Sequence, residues 1–434
     1  MLITADRVLT GSGTYVEDGA VLIEGDAITA VGPRTQLVAH SDAEGEELTF
    51  PGATVMPGLI DCHVHLVFDG GTEPLAAFHE SSDEELLHGM RLRAEQLLSS
   101  GVTTVRDLGD RNGLALRLRQ EIDQGVAVGP RIVAASTPLT TPGGHCHFLG
   151  GEVSGEAAIR ELVRRNLASG AGVIKVMASG GGLTKDGPKS WQSQFSTGEL
   201  RALVDEAHRA GVPVAAHAHG ADGIAAAVDA GVDTIEHCTW MTEDGFGLRP
   251  DVLNKIVDQG IAVCPAVGPH WRAAARVFGE ERTKILFGQV RTMAEAGVRL
   301  IAGTDAGVQR TGFGGSLAGA LGFYSHVGMP ADKVVDMATV RAAEALGLGE
   351  STGRIAPGFR ADLLVVDGDP LADLEALKQI RAVITAGHVP ELASGIISCA
   401  KNFVALRRMS RSVASFCISL RAAASSRRRA SFSA

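Results

Sequence analysis

The chain has 434 residues, 45% of them hydrophobic, and a formal charge of −10 from 40 basic and 50 acidic side chains. That length accommodates one large α/β barrel with an accessory domain, or two or three average domains, and the acidic balance argues against general affinity for nucleic acid or an anionic membrane surface. No apolar stretch approaches the roughly 20 residues that span a bilayer, and the N-terminus lacks a basic leader followed by a long apolar run, so a soluble, cytoplasmic protein is expected.

Residues 1 to about 52 alternate short apolar runs with turn residues, as in Ala20-Val21-Leu22-Ile23-Glu24-Gly25-Asp26, which predicts antiparallel β structure. From about residue 53 the pattern becomes buried strands alternating with amphipathic helices. Eight strands are predicted, at about 53–64, 101–107, 130–136, 172–178, 212–217, 232–237, 261–267 and 298–304. Helices between them, such as 83–100, 155–170, 197–211 and 251–260, close on residues suited to the C-terminal cap, several of them Gly. Eight strand–helix units in sequence predict a (β/α)8 TIM barrel over 53–352, with functional groups at the carboxyl ends of the strands; a doubly wound open sheet is the alternative. Residues 353–388 return to turn and strand chemistry and are expected to join 1–52 in a small β-sandwich domain built from both chain ends.

The remaining segment, 389–434, carries eight basic residues and one acidic one, which leaves the body with 32 and 49 and a charge of −17. It reads as an altered or out-of-frame terminus or a disordered extension, the alternative being an arm that binds RNA or membrane. Six cysteines show no spacing of a disulfide framework or zinc finger. Alternation along a strand points Cys62 and Cys238 away from whatever their neighbouring histidines face, so they and Cys146 are read as small core residues.

Metal-capable side chains recur at the predicted strand ends. His63 and His65, two residues apart at the end of the first strand, project from one face as a metal pair requires. Lys175 sits inside the apolar strand Gly172-Val173-Ile174-Lys175-Val176-Met177-Ala178, where an unpaired charge costs several kcal/mol. Either a carboxylate partners it, or the neutral amine takes up carbon dioxide and the resulting carbamate bridges two metal ions; the surrounding histidines favour the second. The fifth strand ends Val214-Ala215-Ala216-His217-Ala218-His219, the sixth Ile235-Glu236-His237 and the eighth Gly303-Thr304-Asp305. A lone histidine at a strand end is more often structural, but four at one barrel mouth reverse that expectation. Asp305 is then read as a metal ligand that accepts the proton of the attacking water, not as a turn cap alone.

With Pro57-Gly58-Leu59-Ile60-Asp61-Cys62-His63-Val64-His65, the stretch Ile174 to Gly181, Ile235-Glu236-His237, and Pro357-Gly358 with Ala361-Asp362-Leu363, the chain resembles the amidohydrolase superfamily of metal-dependent hydrolases over about residues 1–388, in particular its imidazolonepropionase-like and Xaa-Pro dipeptidase-like branch. The resemblance implies that His63, His65 and Asp305 hold one divalent ion, His217 and His237 a second, and carbamylated Lys175 bridges them, zinc suiting such mixed ligands. It implies attack of a metal-bridging hydroxide on a C–N amide or peptide bond of a dipeptide or N-acyl amino acid, in a protein expected to be homo-oligomeric. It also places His145, in Pro142-Gly143-Gly144-His145-Cys146-His147, against the substrate or its oxyanion, and makes His219 a candidate for holding a substrate carboxylate; related dipeptidase-like sequences often carry tyrosine there.

Three alternatives remain open. A mononuclear deaminase or cyclic-amide hydrolase uses Glu three residues after the strand-five histidine, where this chain has Gly220, and does not require Lys175. A lactonase or phosphotriesterase would share the metals and differ in pocket shape. A catalytically silent scaffold protein on the same fold would be expected to lack a ligand. The glycine-rich Gly180 to Gly187 lacks the ending and helix start of a phosphate loop and reads as a mobile lip. His40, His79, His88, His208, His270, His326 and His388 are read as surface or packing residues.

Overall fold

The chain begins with three strands, β1 (Leu2–Gly11), β2 (Thr14–Glu24) and β3 (Ala27–Pro33). Ser12 and Gly13, both at positive φ, turn β1 into β2 as a two-residue hairpin whose twist matches its strands. In this computed structural model residues 1–38 and 46–391 are described, so His40 and residues 392–434 lie outside the described part. Then follow β4 (Glu47–Pro57), β5 (Leu59–Val64), β6 (Val102–Asp107), β7 (Arg131–Ala134), β8 (Ile174–Met177), β9 (Val214–Gly220) and β10 (Thr234–Thr242). The last are β11 (Gly245–Phe246), a hairpin partner of β10, β12 (Ala262–Cys264), β13 (Arg299–Leu300), β14 (Leu363–Asp367) and β15 (Ile380–Ile384).

Both chain ends meet in one six-stranded sheet of order β15-β14-β4-β1-β2-β3. Its core is separate from the main one and is made of alternate apolar residues, among them Ile3, Val8, Val21, Val55, Leu363, Val365 and Ile384. Val389, one residue past the expected end at 388, also packs against this core.

The predicted strand 53–64 is two strands. β4 pairs with β14 up to Pro57 opposite Leu363, and β5 begins at Leu59 beside Val102. Residues 53–57 therefore belong to the terminal sheet, and the boundary expected after 52 falls at Gly58. Both runs are apolar and buried, which hid the break; Pro57-Gly58 was its signal. Gly58 donates its N–H to the Asp362 carbonyl at 2.9 Å, and a Cβ there would lie 2.2 Å from Thr103 Oγ1, so only glycine fits the crossing.

Eight parallel strands follow in two sheets, β5-β6-β7 and β8-β9-β10-β12-β13. Between β7 and β8, Leu139 donates to the Lys175 carbonyl at 2.8 Å and Met177 donates to the Leu139 carbonyl at 2.9 Å. Between β13 and β5, Cys62 N–H donates to the Ala302 carbonyl and Asp305 N–H to the His63 carbonyl, both at 2.9 Å. The seventh and eighth strands are shorter than predicted, and just past β13 the Ala302 N–H donates to the Met337 carbonyl of the helical layer at 2.9 Å. The fifth and sixth are longer.

Two helices start where a side chain satisfies their free backbone groups. Ser82 and Ser196 each form a reciprocal capping box, with Glu85 and Glu199. The helices Asp83–Ser99, Gly155–Ala168, Thr197–Arg209 and Pro250–Asp258 are each followed by a left-handed glycine, Gly101, Gly170, Gly211 and Gly260. Among the described residues no helix is long and apolar enough to cross a membrane.

Candidate metal centre

The carboxyl ends of β5, β8, β9 and β10 and the segment after β13 converge. His63 and His65 bring their Nε2 atoms within 3.3 Å of each other, and Asp305 Oδ1 lies 3.3 Å and 3.4 Å from the same two nitrogens. The His237 ring is 5.1 Å from that of His63 and 4.8 Å from that of His217. Ligand atoms of His63, His237 and Asp305 all lie within 4.8 Å of one another, and those of His217, His219 and His237 do the same. Lys175, on β8, is 1% exposed, and its Nζ has no hydrogen-bond partner.

Backbone strain makes part of this convergence possible. Glu236 and His237 are consecutive, and in an extended strand their side chains would leave opposite faces. Here Glu236 hydrogen-bonds His63 while the His237 ring packs on that same histidine, and His237 has φ +68°. Thr304 and Asp305 repeat the device: Thr304 Oγ1 donates to Asp61 at 2.6 Å, Asp305 faces His63 and His65, and Asp305 has φ +58°. Left-handed non-glycine residues cost of order 1–3 kcal/mol and concentrate at functional sites.

Electrostatics disfavours charge on five of the histidine rings. Burial, reinforced by neighbouring cations and imidazoles, holds His65, His217 and His237 well below the ordinary histidine range and brings His145 down to about 3 and His219 to about 4. Neutral imidazole is the form that binds metal. Burial also lowers the Lys175 amine to about 8, against the pull of Glu236. It raises Asp305 above the usual carboxylate range, with His63 and Lys175 opposing. Nitrogen donors, a carboxylate and an orphaned buried amine form a donor set that fits divalent cations and a carbamate bridge.

His145 and His219, the two residues expected to face a substrate, lie beside the clustered histidines. His145 lies 4.6 Å, ring to ring, from His217. Its backbone N–H donates to Gln194 Oε1 at 2.7 Å, and the Gln194 amide donates to the Met177 and Ser179 carbonyls, which ties the His145 loop to the end of β8. His219 stacks on His237 at 4.5 Å with Nδ1 2.9 Å from Thr239 Oγ1, so it joins a metal-capable trio as well as flanking it. Gly181 passes so close to His145 that a Cβ would meet its Nε2 at 2.4 Å. Cys62, Cys146 and Cys238 are buried thiols in apolar clusters, as expected, and burial pushes the Cys146 thiol up to about 12.

Sequence reasoning gave no role to Glu236 or Arg106. Glu236 Oε2 accepts from His63 Nδ1 at 2.9 Å, and its Oε1 accepts from Arg106 Nη2 at 2.7 Å and Thr234 Oγ1 at 2.8 Å, all in the buried interior. The available signal was an arginine and a glutamate of opposite charge, each inside a predicted interior strand. Cys264 shares a metal-capable cluster with His63 and Glu236, but the Arg106 cation already occupies the Glu236 carboxylate there. A polar groove between the helices Leu114–Asp123 and Gly155–Ala168 holds none of these residues.

Over residues 54–389 the chain matches the amidohydrolase family. It belongs to that family. Among relatives of this amidohydrolase, the ochratoxinase of Aspergillus niger is 28% identical over 422 residues, covering 88% of this chain and 84% of that one. The imidazolonepropionase of Paracoccus denitrificans is 28% identical over 405 residues, 84% and 92% of the two chains. Among solved structures, a Xaa-Pro dipeptidase with methionine bound in its active site shares 29% identity at a TM-score of 0.78, covering 90% of this chain and 99% of the other. A prolidase complexed with N-methylphosphonate-L-proline shares 28% identity at 0.75, with the same coverage.

Proposed function

We propose that this amidohydrolase is a binuclear, metal-dependent hydrolase that cleaves a C–N amide or peptide bond of a small substrate, a dipeptide or an N-acyl amino acid. The observation that carries the reading is the buried, unpartnered Lys175 amine among five neutral or metal-facing histidines and Asp305. His63, His65 and Asp305 would hold one divalent ion, His217 and His237 the second, with zinc the fitting metal for these donors. When bound, such ions lower the pKa of water and polarise a carbonyl.

The chain's own groups do the rest. Neutral Lys175 Nζ adds to the carbon of carbon dioxide; one N–C bond forms, one C–O π bond opens, and the proton lost from nitrogen passes to solvent, leaving a carbamate anion where no charged partner stood. Asp305 takes a proton at Oδ1, as its raised proton affinity favours, and returns it to the departing amine nitrogen. His145 orients the substrate carbonyl. His219 is placed to receive a substrate carboxylate. The likeness to an ochratoxinase and to a dipeptidase structure supports amide substrates. The two parallel sheets, joined by hydrogen bonds at both seams, support a (β/α)8 barrel with the six-stranded sheet as its sandwich-type companion. We further read the protein as a cytoplasmic homo-oligomer acting on small molecules.

The test is turnover of purified protein on N-acyl amino acids, Xaa-Pro and other dipeptides, cyclic amides and lactones, with metal content measured alongside. Amide cleavage with two ions per chain, and a carbamate signal after exposure to 13C-labelled carbon dioxide, is the expected result. Ammonia release from aminated heterocycles alone, with one ion per chain, would overturn it.

A further inference from the structure

We propose that Glu236 and Arg106 are an internal positioning pair that holds the metal-facing histidine His63 in a single tautomer. The inference rests on the reading of His63 as a ligand. Imidazole offers a metal one lone pair, and which nitrogen carries it is set by what the other nitrogen donates to. His63 Nδ1 lies 2.9 Å from Glu236 Oε2, and a carboxylate can only accept. Nδ1 therefore carries the proton of the neutral ring, whose Nε2, 3.3 Å from both Asp305 Oδ1 and His65 Nε2, then presents its lone pair to the site.

A carboxylate in the barrel interior needs compensation to stay ionised. Arg106 supplies it. Its Nη2 donates to Glu236 Oε1 at 2.7 Å and its Nη1 to Thr234 Oγ1 at 2.9 Å, while Thr234 donates to the same Oε1 at 2.8 Å. The ring is closed on the backbone side too, because Arg106 Nε donates at 2.7 Å to the carbonyl of Cys62, the residue before His63. Arg106 thus fixes the ligand twice, through the carboxylate that holds its ring and through the strand that carries it. The two side chains come from β6 and β10, so one hydrogen-bonded set ties the first, second and sixth strands of the barrel at the depth of the metal ligands.

The test uses the full chain, stripped of metal, in wild-type, Glu236→Gln and Arg106→Lys forms. Glutamine keeps the shape but cannot accept from both Arg106 and His63, since one of its two terminal atoms is a donor. Histidine-ring 15N spectra of the metal-free proteins report the tautomer, chelator competition reports zinc affinity, and circular dichroism reports folding. The expected result is a His63 Nδ1–H tautomer in the wild type, a mixed one in Glu236→Gln, and zinc bound 10- to 100-fold more weakly at one of two sites in that variant, with a smaller loss in Arg106→Lys. Unchanged tautomer and zinc affinity in a folded Glu236→Gln protein would overturn the proposal. Should that variant not fold, Arg106→Lys decides in the same way. If the wild type takes up no zinc, the ligand reading fails, and the tautomer spectra still judge the pair on their own.

Discussion

Burying an amine with no hydrogen-bond partner costs on the order of 1–3 kcal/mol, and Lys175 is such an amine. Lys175→Met keeps the volume and removes that cost. The metal-free variant is expected to resist urea as well as or better than the wild type, by about 1 kcal/mol, while activity falls at least about 100-fold and bound metal drops. A loss of stability would show that Lys175 has a structural partner. Asp305→Asn is the complementary variant: asparagine tolerates the left-handed backbone at φ +58°, so the fold should persist while kcat falls about 100- to 10,000-fold. The histidines were legible because apolar runs led straight into them. Glu236 was not, since its partner Arg106 lies 130 residues away and since φ signs, which let Glu236 and His237 reach one cluster, leave no mark in a strand pattern.

Between elements, the helices Gly155–Ala168 and Thr197–Arg209 are joined through Glu206, whose carboxylate meets Arg160, Arg164 and Arg209 at 3.2, 2.9 and 2.6 Å. The Arg164 hydrogen bond, opposed by burial and helped by Arg209 and Arg160, draws the carboxyl down to about 2. A depressed folded value means stabilisation that is complete above the unfolded carboxylate range and is lost as pH falls towards 2. Glu206→Gln should cost about 0.5–1 kcal/mol at neutral pH, and the difference should shrink steadily between about pH 4.5 and 2 in urea titrations. A difference that stays constant with pH would assign the effect to packing. Gly58→Ala is expected to cost about 1–3 kcal/mol by overpacking Thr103, and Thr103→Ala in the same chain should recover part of it. Helix limits were readable from caps and glycines. The split at Gly58 was not, because burial of both flanks erased the polarity change that marks most boundaries.

At the scale of the molecule, the eight strand–helix repeats and the return of the C-terminal residues to the N-terminal sheet could both be read from periodicity. How β4 continues into the first parallel strand, β5, could not, since register between distant strands has no local signature. Val389 packs on the core of the terminal sheet, so truncation after Glu391, keeping that contact, should leave kcat/KM unchanged and shift Tm by less than about 2 °C, as measured by calorimetry. A larger shift would extend the body beyond that point.

The crossing at Gly58 also bears on how such a protein can change over evolutionary time. One residue separates a strand paired with the chain's far end from the strand that ends in His63. An exchange of the segment up to Gly58 between relatives would break two partnerships at once: β4 with β14, and Gly58 with Asp362. Residues 1–57 and 361–384 should therefore be inherited as a unit, and tolerated recombination should fall in the loops after the parallel strands, away from the strand that carries His63.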